Sequence, residues 1–204
     1  MNQHYDIARD LLSIKAVQIK TDSYFTWTSG IKSPIYCDNR LTMSYPKVRN
    51  RIIDGFINKI KTFKKQPDVI AGCATAGIPH AAWIAERLNL PMVYVRSSPK
   101  GHGKGNQIEG LVKKGQKILV VEDLISTGGS SLDVVNVLKE EGAEIIGVIA
   151  IFTYGLNKTI RRFEKEGVPL ITLTGFDYLV EALVEDEEIT KTDQETLLSW
   201  RNNL

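Results

Sequence analysis

The densest chemistry in the sequence lies in Val120-Val121-Glu122-Asp123-Leu124-Ile125-Ser126-Thr127-Gly128-Gly129-Ser130-Ser131. A short apolar run delivers two adjacent acids, small hydroxyl and glycine residues follow, and a helical pattern begins at once. Glycines and small side chains let backbone N–H groups approach a phosphate, and a helix N-terminus adds donors and a favourable dipole. The Ser and Thr hydroxyls supply further donors. Two carboxylates would repel the phosphate itself, yet they suit the vicinal hydroxyls of a sugar lying about one sugar length away. The pattern fits a cradle for a phosphorylated sugar, although an uneventful strand-to-helix turn would read the same way. It is not a G-x-x-x-x-G-K-[ST] loop. The glycines at 101, 103 and 105 are spaced G-x-G-x-G with no helical pattern directly after them, so they form no dinucleotide fingerprint.

Such a cradle needs a strand to carry it. Continuous apolar runs at Val69–Ala71, Met92–Val95, Ile118–Val121, Ile145–Phe152 and Leu170–Leu173 mark strands buried on both faces. Helical spacing separates them, at Ile78–Leu88, along Leu132, Val135 and Leu138 up to Glu141-Gly142, and from Arg161 to Gly167. The alternation predicts an α/β fold with an open, mostly parallel twisted sheet flanked by helices, whose ligands bind beyond the carboxyl ends of the strands. Glu122 and Asp123 then stand where the strand from Lys117 ends. Residues 1–65 read differently. A helix over Tyr5–Ile14 and short strands around the Phe25–Gly30 and Ser33–Cys37 segments precede a helix over Tyr45–Phe63. This predicts a small N-terminal hood within a single domain spanning residues 1–204. Near the other end, Thr192-Asp193-Gln194-Glu195 reads as a capping box opening a helix that packs through Leu197, Leu198 and Trp200.

The chain of 204 residues is 43% hydrophobic and 25% charged, with a formal net charge of +2, too small to argue for nucleic acid. No apolar run approaches the roughly 20 residues that span a bilayer, and the polar first ten residues lack the apolar core of a secretion signal, so a cytoplasmic protein is expected. Cys37 and Cys73 lack metal-ligand spacing and read as buried thiols; His4 and His80 read as structural. Charge is unevenly spread. Arg96, Lys100, Lys104, Lys113, Lys114 and Lys117 face a single acid, Glu109, in one segment, which suits an anionic ligand or a solvated face. The acids from Glu181 to Glu188 read as solvating a C-terminal connection.

The acid-Asp pair with its S-T-G-G-S loop resembles the phosphoribosyl diphosphate (PRPP) motif of type I phosphoribosyltransferases. Two further segments narrow the resemblance to the orotate phosphoribosyltransferase family. Thr28-Ser29-Gly30-Ile31-Lys32-Ser33-Pro34-Ile35-Tyr36 is similar to its base-binding hood, and Arg96-Ser97-Ser98-Pro99-Lys100-Gly101-His102-Gly103 to its mobile catalytic loop. The resemblance implies transfer of the 5-phosphoribosyl group from PRPP to orotate, giving orotidine 5′-monophosphate and diphosphate in pyrimidine synthesis. It implies Mg²⁺ bound mainly through PRPP, with no protein residue assigned to a metal. Glu122 and Asp123 would hold the ribose hydroxyls, and Leu124, Ile125, Ser126, Thr127, Gly128, Gly129 and Ser130 the 5-phosphate. Arg96, Lys100 and His102 would meet the departing diphosphate, and Asp123 would join them as a catalytic residue. Orotate would contact Ser126, with Lys32 anchoring its carboxylate. The Gly72–Gly77 turn is similar to the family's diphosphate loop, where a non-proline cis peptide is implied.

In the family the mobile loop reaches into a neighbouring subunit, which implies a homodimer with shared sites; no nucleic acid or membrane partner is expected. The match departs from some relatives at Thr28, Ala76, Ser97 and about Tyr154, positions that are basic there. Two alternatives share the PRPP motif: a transferase for another nucleobase, and a PRPP-sensing regulator. The orotate-like hood argues against the first. Against the second stand the few residues before the hood and the intact Arg96, Lys100 and His102.

Overall fold

Six strands form the central sheet in the order β10-β9-β8-β5-β6-β7. They are β5 (Val69–Cys73), β6 (Met92–Val95), β7 (Ile108–Glu109), β8 (Lys117–Ile125), β9 (Glu144–Thr153) and β10 (Leu170–Gly175). All neighbours pair in parallel except β7, a short antiparallel edge on β6. The computed structural model describes residues 3–26, 32–98 and 107–204. The helices between the strands are α3 (Gly77–Leu88), α4 (Gly129–Glu140) and α5 (Asn157–Lys165), and α6 (Phe176–Glu185) and α7 (Lys191–Asn202) follow β10. The open, mostly parallel α/β sheet predicted from the apolar runs is the architecture found.

Strand alternation divides the apolar side chains between two cores. Leu119 and Val121 face a core shared with α1 (Gln3–Ser13), α2 (Pro46–Ile60), α3 and α6, whereas Ile118 and Val120 face α4 and α5 through Leu132, Val135, Leu138 and Phe163. The N-terminal elements share the first core: Ile7 and Leu11 of α1, Val17 of β1 (Val17–Ile19) and Ile35 of β4 (Ile35–Cys37) all belong to it. β1 pairs with β4, and β2 (Phe25–Thr26) with β3 (Lys32–Ser33), each antiparallel. A 3₁₀ turn, Asn39–Ser44, leads from β4 into α2, whose Pro46 occupies the first turn, where no N–H is needed.

Three expectations are corrected. β8 runs to Ile125 rather than Val121, because β9 pairs alongside and supplies ladder partners to Glu122, Leu124 and Ile125. The acidic run does not merely solvate a connection: Arg9 of α1 binds Asp186 at 2.7 Å and Glu185 at 2.8 Å, and Tyr5 donates to Glu181. The capping box stands two residues earlier than read, with Thr190 and Asp193 satisfying each other's backbone N–H groups at 3.1 and 2.9 Å. Leu197 is buried, with Leu198 and Trp200 packed beside it, as expected.

At Gly77, the first residue of α3, helix and sheet backbones come close together. A Cβ there would lie 2.4 Å from the Val121 carbonyl oxygen and 3.3 Å from Cα of Glu122. Backbone cannot yield as a side-chain tip can, so Gly77→Ala pushes α3 off β8. We expect a loss of about 1–3 kcal/mol of stability, typical of overpacking, in urea unfolding; an unchanged midpoint would show that α3 shifts freely.

Candidate active site

The carboxyl ends of β5, β6, β8 and β9 converge. β8 carries Glu122 and Asp123 at successive positions, and their carboxyl groups share a side-chain hydrogen bond. Glu122 is 6% exposed. Its carboxyl is pushed up to about 8, first by burial and then by the neighbouring Asp123 charge, and its Oε1 accepts the Asp123 N–H at 3.0 Å. Burial raises the Asp123 carboxyl as well.

Asn39, fully buried, donates its side-chain amide to the Asp123 carbonyl at 2.8 Å, joining the N-terminal segment to the dyad. Cys73 is packed near Glu122, and Cys37 donates to Asn39 Oδ1 at 3.5 Å; burial raises both thiols. Cys73 is buried, as expected, whereas Cys37 is half-buried. His80 is likewise buried and held down to about 4 by desolvation, with its ring edge-on to Trp83.

The loop after β8 is shaped from behind by α5. Thr159 donates to the Ser126 carbonyl at 2.6 Å, and Gly128 adopts φ +73° with Phe163 filling the place of its missing side chain, 2.6 Å from an ideal Cβ. No other residue type fits that combination without displacement. Gly128 caps α4 without a side-chain cap, and Ser126 and Gly129 are half-buried while Thr127 and Ser130 are exposed. The first-turn N–H groups of α4 therefore point towards open space, the geometry of an anion site.

Arg96 stands at the end of β6. Its N–H donates to the Gln107 carbonyl at 2.8 Å and its carbonyl accepts from Gln107 Nε2 at 3.1 Å, so the two stems of the glycine-rich segment are tied together. A cavity of about 80 Å³ joins Arg96 and Ser97 to Cys73, Ala74, Ser130 and Asp133. The Ala74–Thr75 peptide is cis, as the resemblance implied. A larger hollow of about 670 Å³ lies elsewhere, between α1, β1 and α6, and holds none of the expected site residues.

The structure thus brings together Arg96, Glu122, Asp123 and the Leu124–Ser130 loop. Lys32 is exposed on β3 and donates to Thr26 at 2.8 Å, a hydrogen bond that leaves it untied to the dyad. Lys100, His102 and Thr28 lie outside the described residues. Among the described residues no group of three or more His, Cys, Asp or Glu could hold a metal ion. Sequence reasoning missed Asn39, Thr159 and Phe163. Only the hydroxyl-rich loop hinted that something must support it, and no spacing relates position 39 to position 123. Tyr154, where some relatives are basic, is 4% exposed, and its hydroxyl is raised by burial.

Residues 44–174 match the family model of the phosphoribosyl transferase domain. The chain is 56% identical over 203 residues to an orotate phosphoribosyltransferase of Listeria monocytogenes serotype 4b, covering 100% of this chain and 97% of that one. It is 58% identical over 197 residues to the Bacillus pumilus orotate phosphoribosyltransferase, covering 97% and 93%. The crystal structure of orotate phosphoribosyltransferase from Aeropyrum pernix superposes with a TM-score of 0.76 at 28% identity, covering 87% of this chain and 97% of that one.

Glu122 makes stability depend on pH. Between its ordinary 4.5 and its raised value of about 8 the folded chain holds a proton that the unfolded chain has released, so stability falls as pH rises through that window. Glu122→Gln should flatten that fall in thermal melts taken from about pH 5 to about pH 9. Equal slopes for the two proteins would remove Glu122 as the source.

Proposed function

The chain belongs to the orotate phosphoribosyltransferases, and from that premise we propose that it transfers the 5-phosphoribosyl group of PRPP to orotate, yielding orotidine 5′-monophosphate and diphosphate for pyrimidine synthesis. The observation that carries the reading is the dyad set directly ahead of a capless helix N-terminus: sugar-hydroxyl acceptors and a phosphate cradle on one strand-to-helix turn.

The chemistry follows from that order. The 5-phosphate sits against the N–H groups and hydroxyls of the Ser126–Ser130 loop, which places the ribose hydroxyls towards Glu122 and Asp123. A ring nitrogen of orotate attacks the anomeric carbon, giving up its proton to solvent or to the departing diphosphate, as the bond from that carbon to the diphosphate oxygen breaks and positive character develops on the sugar. The dyad faces that charge and stabilises it, Asp123 more than Glu122 because the latter is held towards its protonated form. Arg96, standing across the small cavity from Ser130, balances the departing diphosphate. Lys100 and His102 follow it in sequence and complete that role, while Ser126 and Lys32 are left to orient orotate. Mg²⁺ would be held mainly by PRPP itself and would supply neutralisation of diphosphate charge, with no residue of the chain assigned to it.

The same reading makes the enzyme a cytoplasmic homodimer that binds no nucleic acid. Support for the dimer comes from Tyr36, Leu41, Met43 and Tyr45, large side chains 38–45% exposed along the stretch that carries Asn39. No helix among the described residues is long and apolar enough to cross a membrane.

The decisive experiment mixes the protein with Mg²⁺, PRPP and orotate and follows loss of orotate absorbance. Turnover with hypoxanthine or uracil but none with orotate would sink the assignment. Lys100→Ala should lower turnover by about a hundredfold or more without unfolding the chain, in line with removal of a group that stabilises charge in the transition state; near-normal rates would strike Lys100 from the mechanism. An Arg96 variant mixed with an Asp123 variant should regain partial activity through hybrid dimers. No regain, once subunit exchange is demonstrated, would mean that each chain completes its own site.

A further inference from the structure

α5 does more than buttress the loop. It comes from the following strand-helix unit and presents Thr159 and Phe163 to Ser126 and Gly128. Arg162 stands beside Phe163 and reaches the next residue along. Its Nη1 lies 3.5 Å from where a Cβ on Gly129 would stand, and Thr127 Oγ1 lies 3.9 Å from the same point; among the described residues no other atom outside Gly129, its chain neighbours and the adjoining backbone of α4 comes within 4 Å. The space beside the first residue of α4 is thus open and edged by a guanidinium and a hydroxyl.

We propose that Arg162 is a ligand of the ribose 5-phosphate, supplying the positive charge that the neutral N–H and hydroxyl donors of the Ser126–Ser130 loop do not. The proposal rests on reading this loop as the PRPP cradle. A phosphate monoester carries about two negative charges near neutral pH, and α4 offers it only partial charge. A guanidinium supplies a full charge and a planar pair of donors matched to phosphate oxygens. Arg162 is also available. Arg9, Arg40, Arg51, Arg87, Arg96 and Arg201 are paired with acids and Arg49 lies over the Trp83 ring, whereas Arg162, exposed on α5 like Arg161, makes no salt bridge among the described residues. The motif on β8 gives no sign of it, since the loop and Arg162 belong to different strand-helix units. The phosphate is then held on two sides, by the α4 N-terminus from its own unit and by α5 from the next.

The test is calorimetric titration of wild type, Arg162→Ala and Arg162→Lys with ribose 5-phosphate and, separately, with Mg²⁺-diphosphate. Arg162→Ala should weaken ribose 5-phosphate about fivefold, the effect of one partly exposed charge-assisted contact, and leave diphosphate unchanged. Arg162→Lys should recover much of the loss, and in turnover KM for PRPP should rise by the same factor with kcat and KM for orotate unmoved. Wild-type affinity for ribose 5-phosphate in Arg162→Ala overturns the proposal. So does an equal loss for both ligands, which would signal a general change in field or fold. A wild-type protein that binds ribose 5-phosphate through Arg162 yet fails to use orotate would retain the phosphate ligand and lose only the base assignment; one that binds no ribose 5-phosphate loses both.

Discussion

Near the end of a central strand one carboxyl group is buried and the next half-buried, and most of the site is arranged around that cost. β5 pairs with β8 as far as Val121, and β9 runs on beside Glu122 and Leu124. Ionising Glu122 in this setting is disfavoured by desolvation and by Asp123, and its proton is released only towards about 8. The pair is tolerable because the backbone around it is fully engaged: the Asp123 N–H is donated to Glu122 and the Asp123 carbonyl accepts Asn39. Hydroxyl donors on a sugar would replace what water supplies elsewhere, so substrate binding and relief of the buried charge are one event.

That arrangement demands close approaches, and glycine provides them. Gly77 brings α3 onto the Val121 carbonyl, which closes one side of the dyad, and Gly128 turns the chain into α4 against Phe163. The end of β9 is fixed from the far side. Arg201 of α7 donates to the Tyr154 carbonyl at 3.2 Å and pairs with Asp177 at 2.7 Å, and the Thr153 hydroxyl donates to the Ile125 carbonyl at 3.2 Å. The last helices, which carry no chemistry themselves, thereby hold the strand next to the cradle.

The parallel strands were legible because burial on both faces leaves continuous apolar runs, and the loop after β8 because phosphate chemistry selects glycine and hydroxyls together. What escaped the reading was set by partners distant in sequence. β8 continues through two acids that disfavour strands, since β9 supplies the ladder. The two- and three-residue strands of the hood are too short to show a period, and their pairing is fixed by packing. Asn39 looks like any loop amide until Asp123 is brought to it across 84 residues, and the acids of α6 look solvated until Arg9 meets Asp186 across 177.

Charge along the cradle is polarised. Acids stand at the strand end, while the cations lie on elements outside the motif. Tyr154 is buried with its hydroxyl held neutral, and Ala76 and Ser97 are uncharged, so these positions contribute no positive potential. In the proposed mechanism, attraction for the anionic substrate then falls to side chains that enter from the edges, Arg96 from β6 with its following segment and Arg162 from α5. The sugar between them is gripped at its two charged ends and faces the dyad with its hydroxyls. Since both phosphate ends are drawn outward from the acids, the anomeric carbon is left closest to Asp123, where developing positive charge is stabilised most. The separation of cations from acids thus does the orienting.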